Sequence, residues 1–225
     1  MYWLLSLLII VVNLAPAHAT DSILDTINDT LSLSFSYDNG ESYTTLDASY
    51  DLTDSWRIFG EMDTLGYWET GVGYNFILGE VYNEISIKGL GGNNYLSDTI
   101  NPSIGLFSAG FITNELIWMT NFDIGYAKAN RQDENLPIEM DLEKYTVDKM
   151  VGIHHDTTEW LGLSYMFNHD SSKIKSHFMN TKTSTGHYTY HELVVTLNIK
   201  GWKPSFTLTL DGESVKTEIG LSFDF

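Results

Sequence analysis

The sequence predicts an all-β fold, a transmembrane antiparallel up-and-down β-barrel of about twelve strands, give or take two. Three observations point there. Apolar and polar residues alternate with a period of two over most of the chain. Tight turns alternate with longer connections. An apolar leader with a small-residue cleavage site precedes the first alternating run.

The leader comes first in the chain. Residues 3–14 are almost wholly apolar, and Pro16 then precedes Ala17-His18-Ala19. An apolar run of this length followed by a small-x-small triplet is the pattern of a secretory signal peptide. No Lys or Arg precedes the run, so only the amino terminus supplies positive charge. The expected organisation is a signal peptide over 1–19 and one barrel domain over 20–225.

The alternation begins after Asp29. Leu31, Leu33, Phe35 and Tyr37 alternate with Ser32, Ser34 and Ser36. Trp68, Thr70, Val72, Tyr74 and Phe76 alternate with Glu69, Gly71, Gly73 and Asn75. The same pattern recurs over 116–126, 161–167, 202–210 and 215–225. Successive side chains of a strand point to opposite faces, so one face is greasy and the other small or polar. A soluble sandwich would hide the greasy face in a core. A membrane barrel turns it to lipid and lines its lumen with the polar face, and the Gly and Ser of that face suit a narrow, curved interior. Short turns are expected near 51–55, 79–80, 113–114, 156–159 and 200–201. Longer connections are expected near 93–101, 130–141 and 169–186, facing outside the cell. The first strand should close the barrel by pairing 31–37 with 215–225.

Composition narrows the function. A chain of 225 residues suits one domain, and a formal net charge of -18 repels nucleic acid. Cysteine is absent, so thiolate and disulfide chemistry are excluded. No internal stretch is long enough for a transmembrane helix. No motif for a cofactor or a phosphate loop appears.

Aromatic residues fit a membrane-spanning barrel. Trp56, Trp118, Trp160 and Trp202 each follow an expected short turn and would form a periplasmic girdle. Tyr37, Tyr43, Tyr67, Tyr126, Tyr145, Tyr165 and Tyr188 lie toward the long connections and would form the outer one. The chain ends Leu221-Ser222-Phe223-Asp224-Phe225, which resembles the assembly signal of bacterial outer-membrane barrels. That resemblance implies the outer membrane as location. It also implies the barrel-assembly machinery as partner through Phe225, and surrounding lipid and lipopolysaccharide. Gly201-Trp202-Lys203-Pro204 before the last strand, with the modest mature length, resembles the small twelve-stranded oligogalacturonate-channel family. This resemblance implies a monomeric passive pore with a basic lumen.

Parity assigns a different lumen. The acidic residues placed inside are Glu61, Glu69, Glu84, Asp123, Asp148, Glu192, Glu218 and Asp224, and the basic ones Arg57, Lys88, Lys200 and Lys216. Unpaired charges are not tolerated in a dry core, so these imply water or pairing. The expected function is a passive channel for small solutes that favours cations or neutral molecules. A lipid-modifying enzyme of phospholipase or deacylase type, using His191 with a nearby Ser or Thr, is the alternative, as is a non-conducting structural barrel. His187 and His191 are too far apart along a strand to share a metal, so no metal site is assigned. Lys149 breaks the pattern, since parity puts it on the greasy face of Tyr145, Val147, Val151 and Ile153. Processing gives a direct check: mass spectrometry of membrane-extracted protein is expected to find Thr20 as the mature N-terminus, and an intact Met1 would overturn the signal-peptide assignment.

Overall fold

A computed structural model describes residues 30–38, 40–92, 101–132, 139–178, 180–212 and 214–224. The leader expected over 1–19 lies outside them. The described residues form twelve strands: β1 (Thr30–Asp38), β2 (Glu41–Thr53), β3 (Trp56–Asp63), β4 (Trp68–Leu78), β5 (Val81–Gly91), β6 (Asn101–Thr113), β7 (Leu116–Gln132), β8 (Glu139–Thr158), β9 (Leu161–Phe178), β10 (Asn180–Leu197), β11 (Trp202–Leu210) and β12 (Val215–Asp224). Each strand pairs antiparallel with its chain neighbours, and β1 pairs β12 to close the barrel. The closing register runs from Leu31 opposite Phe223 to Tyr37 opposite Thr217, on the segments the sequence assigns to closure.

Closure turns the two-residue period into an inside and an outside. On β1, Phe35 is 59% exposed while Ser34 and Ser36 are 4% and 3% exposed. The registers carry this parity round the whole barrel. The outward positions of β1–β6, β11 and β12 hold no charged residue. An uncharged greasy exterior over a polar interior inverts the usual soluble arrangement.

The five short turns fall where the sequence places them, and their chemistry is local. Three share one device. Thr53, Thr113 and Thr158 end β2, β6 and β8, each one residue past a register shift. Each hydroxyl oxygen accepts a hydrogen bond from a backbone N–H of the turn, as from Trp56 to Thr53 (3.1 Å) and from Leu116 to Thr113 (3.1 Å). The β10–β11 turn instead puts Lys200 (φ 51°) and Gly201 (φ 86°) in left-handed conformations between the paired Ile199 and Trp202. That is the twist-matched two-residue hairpin. Lys200 is therefore an exposed turn residue and not part of the lumen, because the alternation ends before it.

Three other expectations are corrected. Residues 169–186 are not a loop: β9 and β10 stay in unbroken register from Leu161↔Leu197 to Phe178↔Asn180. Alternation disappears there because both faces are polar, as at Ser171, Lys173 and Ser172, Ser176. Of the connection expected over 130–141, residues 130–132 and 139–141 are strand, since β7 runs to Gln132 and β8 starts at Glu139. Residues 133–138 and 93–100 lie outside the described set. The tyrosine girdle is also partial. Tyr37, Tyr126 and Tyr145 face outward near the long-strand end, and Tyr165 does so only four residues from a turn. Tyr43 opposes Ser36, and Tyr188 opposes Asp170, so both point inward.

Lys149 does face outward, beside Phe122 and His169, with no register shift near it. Packing inside depends on small residues. A Cβ on Gly71 would sit 2.5 Å from the Phe59 ring and 2.8 Å from the Ile87 carbonyl oxygen. Gly71→Leu is expected to cost about 1–3 kcal/mol of stability through overpacking. Urea unfolding of the refolded barrel, followed by tryptophan fluorescence, measures it. An unchanged midpoint would show that Phe59 is free to move aside.

Candidate functional site in the barrel lumen

The inward face is built from short side chains that give long charged ones room. Gly105 on β6 lies between Ser86 on β5 and Asp123 on β7. A Cβ there would come within 2.5 Å of Asp123 Oδ1 and 2.6 Å of Ser86 Oγ. Over this floor the Lys88 ammonium of β5 reaches Asp123 of β7 (2.9 Å) and also Glu69 of β4 (3.6 Å). Side chains from β5 and β7 can meet across β6 only inside the barrel. Asn121 donates a further hydrogen bond to Asp123.

A second network occupies the β2–β5 wall toward the short turns. Arg57 grips Asp51 with both Nε (2.6 Å to Oδ1) and Nη2 (3.2 Å to Oδ2). Its Nη1 lies 4.0 Å from Glu84, which accepts a hydrogen bond from the Tyr82 hydroxyl (3.2 Å). The planar guanidinium suits this two-pronged grip, and Tyr82 is fully buried beside it. This part of the interior is packed, not open.

A third group joins β1, β2 and β12. Ser36 donates to Glu218 (2.6 Å), Lys216 lies 3.4 Å from the same carboxylate, and its ammonium sits 5.2 Å from the Tyr43 ring centre. Glu61 faces this group beside Asp47 and lines a cavity of about 420 Å³ with Lys216 and Glu218. On the far wall, Glu192 accepts from Asn168 (3.0 Å) and Thr209 (3.5 Å).

An interior space of about 500 Å³ is lined by Glu69, Lys88, Asp123, Lys144, Asp148 and Asp170 among others. Asp123, Asp148 and Asp170 oppose one another in register across β7, β8 and β9. The structure thus brings Glu69, Lys88, Asp123 and Asp148 together, pairs Lys216 with Glu218 near Glu61, and sets Glu84 and Glu192 in separate networks. Asp224 opposes Thr30 at the end of β12, beyond the described side chains. Asp47, Asp51, Lys144 and Asp170 also belong to the interior. Lys144 follows from extending the parity of Tyr145 by one residue. Asp47 and Asp51 needed the period of β2, where Thr44, Tyr50 and Asp51 blur the contrast. Asp170 was hidden inside the supposed loop.

The histidines resolve differently. His191 faces outward and meets the Tyr165 hydroxyl (2.7 Å), not a Ser or Thr. His154 faces inward, with Nδ1 2.8 Å from Ser164 Oγ and Nε2 3.1 Å from Asp156 Oδ1. Acyl transfer would also need N–H donors aimed at a developing oxyanion. Ser164 lies mid-strand, between His154 of β8 and Val194 of β10, where both ladders run without a break. The backbone N–H groups around Ser164 are taken up in these ladders. Among the described residues, no group of three or more His, Asp or Glu is placed to hold a metal ion.

A closed barrel with uncharged outward rows on eight of its twelve strands, around a charged lumen, has the fold of the small porin-type outer-membrane barrels. Two solved structures share it: a NanC porin (TM-score 0.67, 12% identity, covering 87% of this chain and 100% of that one) and a KdgM porin (TM-score 0.61, 11% identity, 87% and 99%). The KdgM porin is also known in complex with disordered oligogalacturonate. No family model and no curated protein sequence matches the chain.

Lys88 is the cation between two carboxylates that otherwise repel. Lys88→Met is expected to destabilise the barrel by about 2 kcal/mol, below the 3–5 kcal/mol of a fully buried pair, because the neighbouring space admits water. A restoring effect of adding Asp123→Asn, measured as a double-mutant cycle, would confirm the coupling. Strict additivity would refute it.

Proposed function

We propose that this chain is a bacterial outer-membrane channel that passes small cationic or neutral solutes. One observation carries the reading. Charge is segregated, with uncharged outward rows on eight of the twelve strands, while inward carboxylates surround cavities of several hundred Å³. An apolar exterior is stable in lipid, and an interior carrying Asp148 and Asp170 side by side is stable only with water or cations. A low-dielectric wall bearing one sign of charge concentrates the opposite ion along the lumen.

The acidic lumen separates this chain from an acidic-sugar pore. The inward cations among the described side chains, Arg57, Lys88, Lys144, Lys182, Lys203 and Lys216, are outnumbered. Arg57, Lys88 and Lys216 are already paired to carboxylates. A polyanion entering the large cavity would face Glu69, Asp123, Asp148 and Asp170 with little free positive charge. The packed Arg57–Tyr82 region favours a second reading, a barrel closed along that wall and without measurable conductance.

Single-channel recording in planar bilayers across a salt gradient tests both readings. The reversal potential is expected to show cation preference, strongest at low salt where screening is weak. Asp123→Asn with Glu218→Gln should reduce it. Anion preference would overturn the proposal, and absence of conductance would favour the closed barrel.

A further inference from the structure

We propose that the outward face of β8, β9 and β10, above the greasy rows, binds the phosphate groups of the outer-leaflet glycolipid, lipopolysaccharide. The proposal rests on the membrane placement of the preceding reading.

The chain carries Lys+Arg 12 against Asp+Glu 30, so a cationic surface is against the trend of its composition. Yet among outward-facing residues with described side chains, the Lys and acidic residues all lie on β7, β8 and β9. They are Lys128, Lys149, Lys173, Lys175 and the single carboxylate Glu143. Two histidines extend the patch. His169 opposes Lys149, and its ring stacks on that of His187 of β10 at 5.8 Å. Glu143 is engaged within the patch, opposite both Lys128 and Lys175 and 4.0 Å from His177. Lys175 also lies over the Tyr145 ring at 5.1 Å. Lys149 and Lys173 remain as exposed ammonium groups on either side of Val147 and Ser171.

Height decides what such a patch meets. Lys149 is nine residues above the turn at Thr158, and Lys173 twelve above Leu161. At roughly 3.4 Å per residue and a tilt near 40°, these stand about 23 and 31 Å above the turns, against an apolar band about 25 Å tall. The ladder gives an independent boundary. Pairing between β10 and β11 stops at His191↔Leu210, and between β6 and β7 at Ser103↔Gly125. Above those points, among the described residues, β7–β10 form a four-stranded panel whose β7 and β10 edges pair with no further strand. Open edges are not tolerated in hydrocarbon, so the panel stands in the headgroup layer and beyond. Lys173 sits on its face, at the level where the phosphates of a glycolipid leaflet lie, and Lys149, in the row of Phe122 and Leu106, lies just below it at the top of the apolar band. Near the top of the band, the Lys149 stem can lie along apolar surface while its ammonium extends to the headgroup layer.

The test uses the refolded full chain in detergent micelles doped with bis-phosphorylated lipid A, with bound lipid counted by native mass spectrometry. Each lysine near a charged membrane surface contributes roughly a fivefold factor in affinity. The double variant Lys149→Gln/Lys173→Gln is therefore expected to bind lipid A roughly ten- to thirty-fold more weakly. Lys200→Gln, at the opposite end, should bind as the wild type does. Dephosphorylated lipid A should bind both forms alike, and millimolar inorganic phosphate should not displace lipid A from the wild type. Equal lipid A affinity of wild type and double variant, or equal affinity of the wild type for both lipids, would overturn the proposal. Displacement by inorganic phosphate would overturn it in favour of a free-anion site. Heat-modified mobility on gels confirms that each variant is folded. Fractionation of cells locates the protein independently, so absence from the outer membrane sinks the underlying placement, whereas lipid indifference of a protein found there sinks only the patch.

Discussion

Pairing of β1 with β12 is the constraint on which everything else rests. In water an open sheet survives with its edges solvated. In hydrocarbon each unpaired N–H or C=O costs several kcal/mol, so a sheet must close or stay out. Once it closes, a two-residue period has only two destinations, lipid or lumen. A one-residue slip between β1 and β12 would exchange Ser34 and Phe35 and put serines against lipid and rings into the lumen. The register Leu31↔Phe223 therefore fixes more than one seam, because each further ladder inherits its parity.

What the sequence reveals follows from that parity. Strand number, the five short turns, the closing pair and most of the lumen charges were legible, because greasy and polar residues alternate wherever one face meets lipid. The hairpin of β9 and β10 was not, because above the greasy rows both faces meet water and Ser171 differs little from Ser172. Tyr43 and Tyr188 were misread for a related reason. A tyrosine near the rim is acceptable on either face, so its type says nothing about direction and only the register does. Lys200 failed at the other end, where the left-handed turn interrupts the period.

Pairing in the lumen was not legible at all. Parity puts Lys88 and Asp123 on the same face but says nothing of their meeting across β6. That contact depends on Gly105 and Ser86 being small enough to leave space above the sheet, a property of three strands in register. Arg57 reaches Glu84 across β4 in the same way, over Gly73, where a Cβ would lie 2.7 Å from the Glu84 carboxyl carbon. Inward glycines thus decide which charges neutralise one another and which stay available to solutes.

The interior is consequently lopsided. The β2–β5 wall is packed by Arg57, Tyr82 and Glu84 toward the short turns, whereas two of the open spaces lie against β7–β10 and a third between β1–β3 and β12. The upper cavity is lined by Asp148 and Asp170, and a lower one of about 450 Å³ by His154, Asp156 and Gly162, all from β8 and β9. Between these levels the same two strands present Met150, Met166 and Asn168 inward, with Glu192 on β10. Two unbranched thioethers change shape at little cost, and Asn168 already turns its amide toward Glu192. A solute crossing the barrel along β8 and β9 would leave a carboxylate-rich chamber, pass two methionines beside one carboxylate, and enter a second chamber with a single histidine.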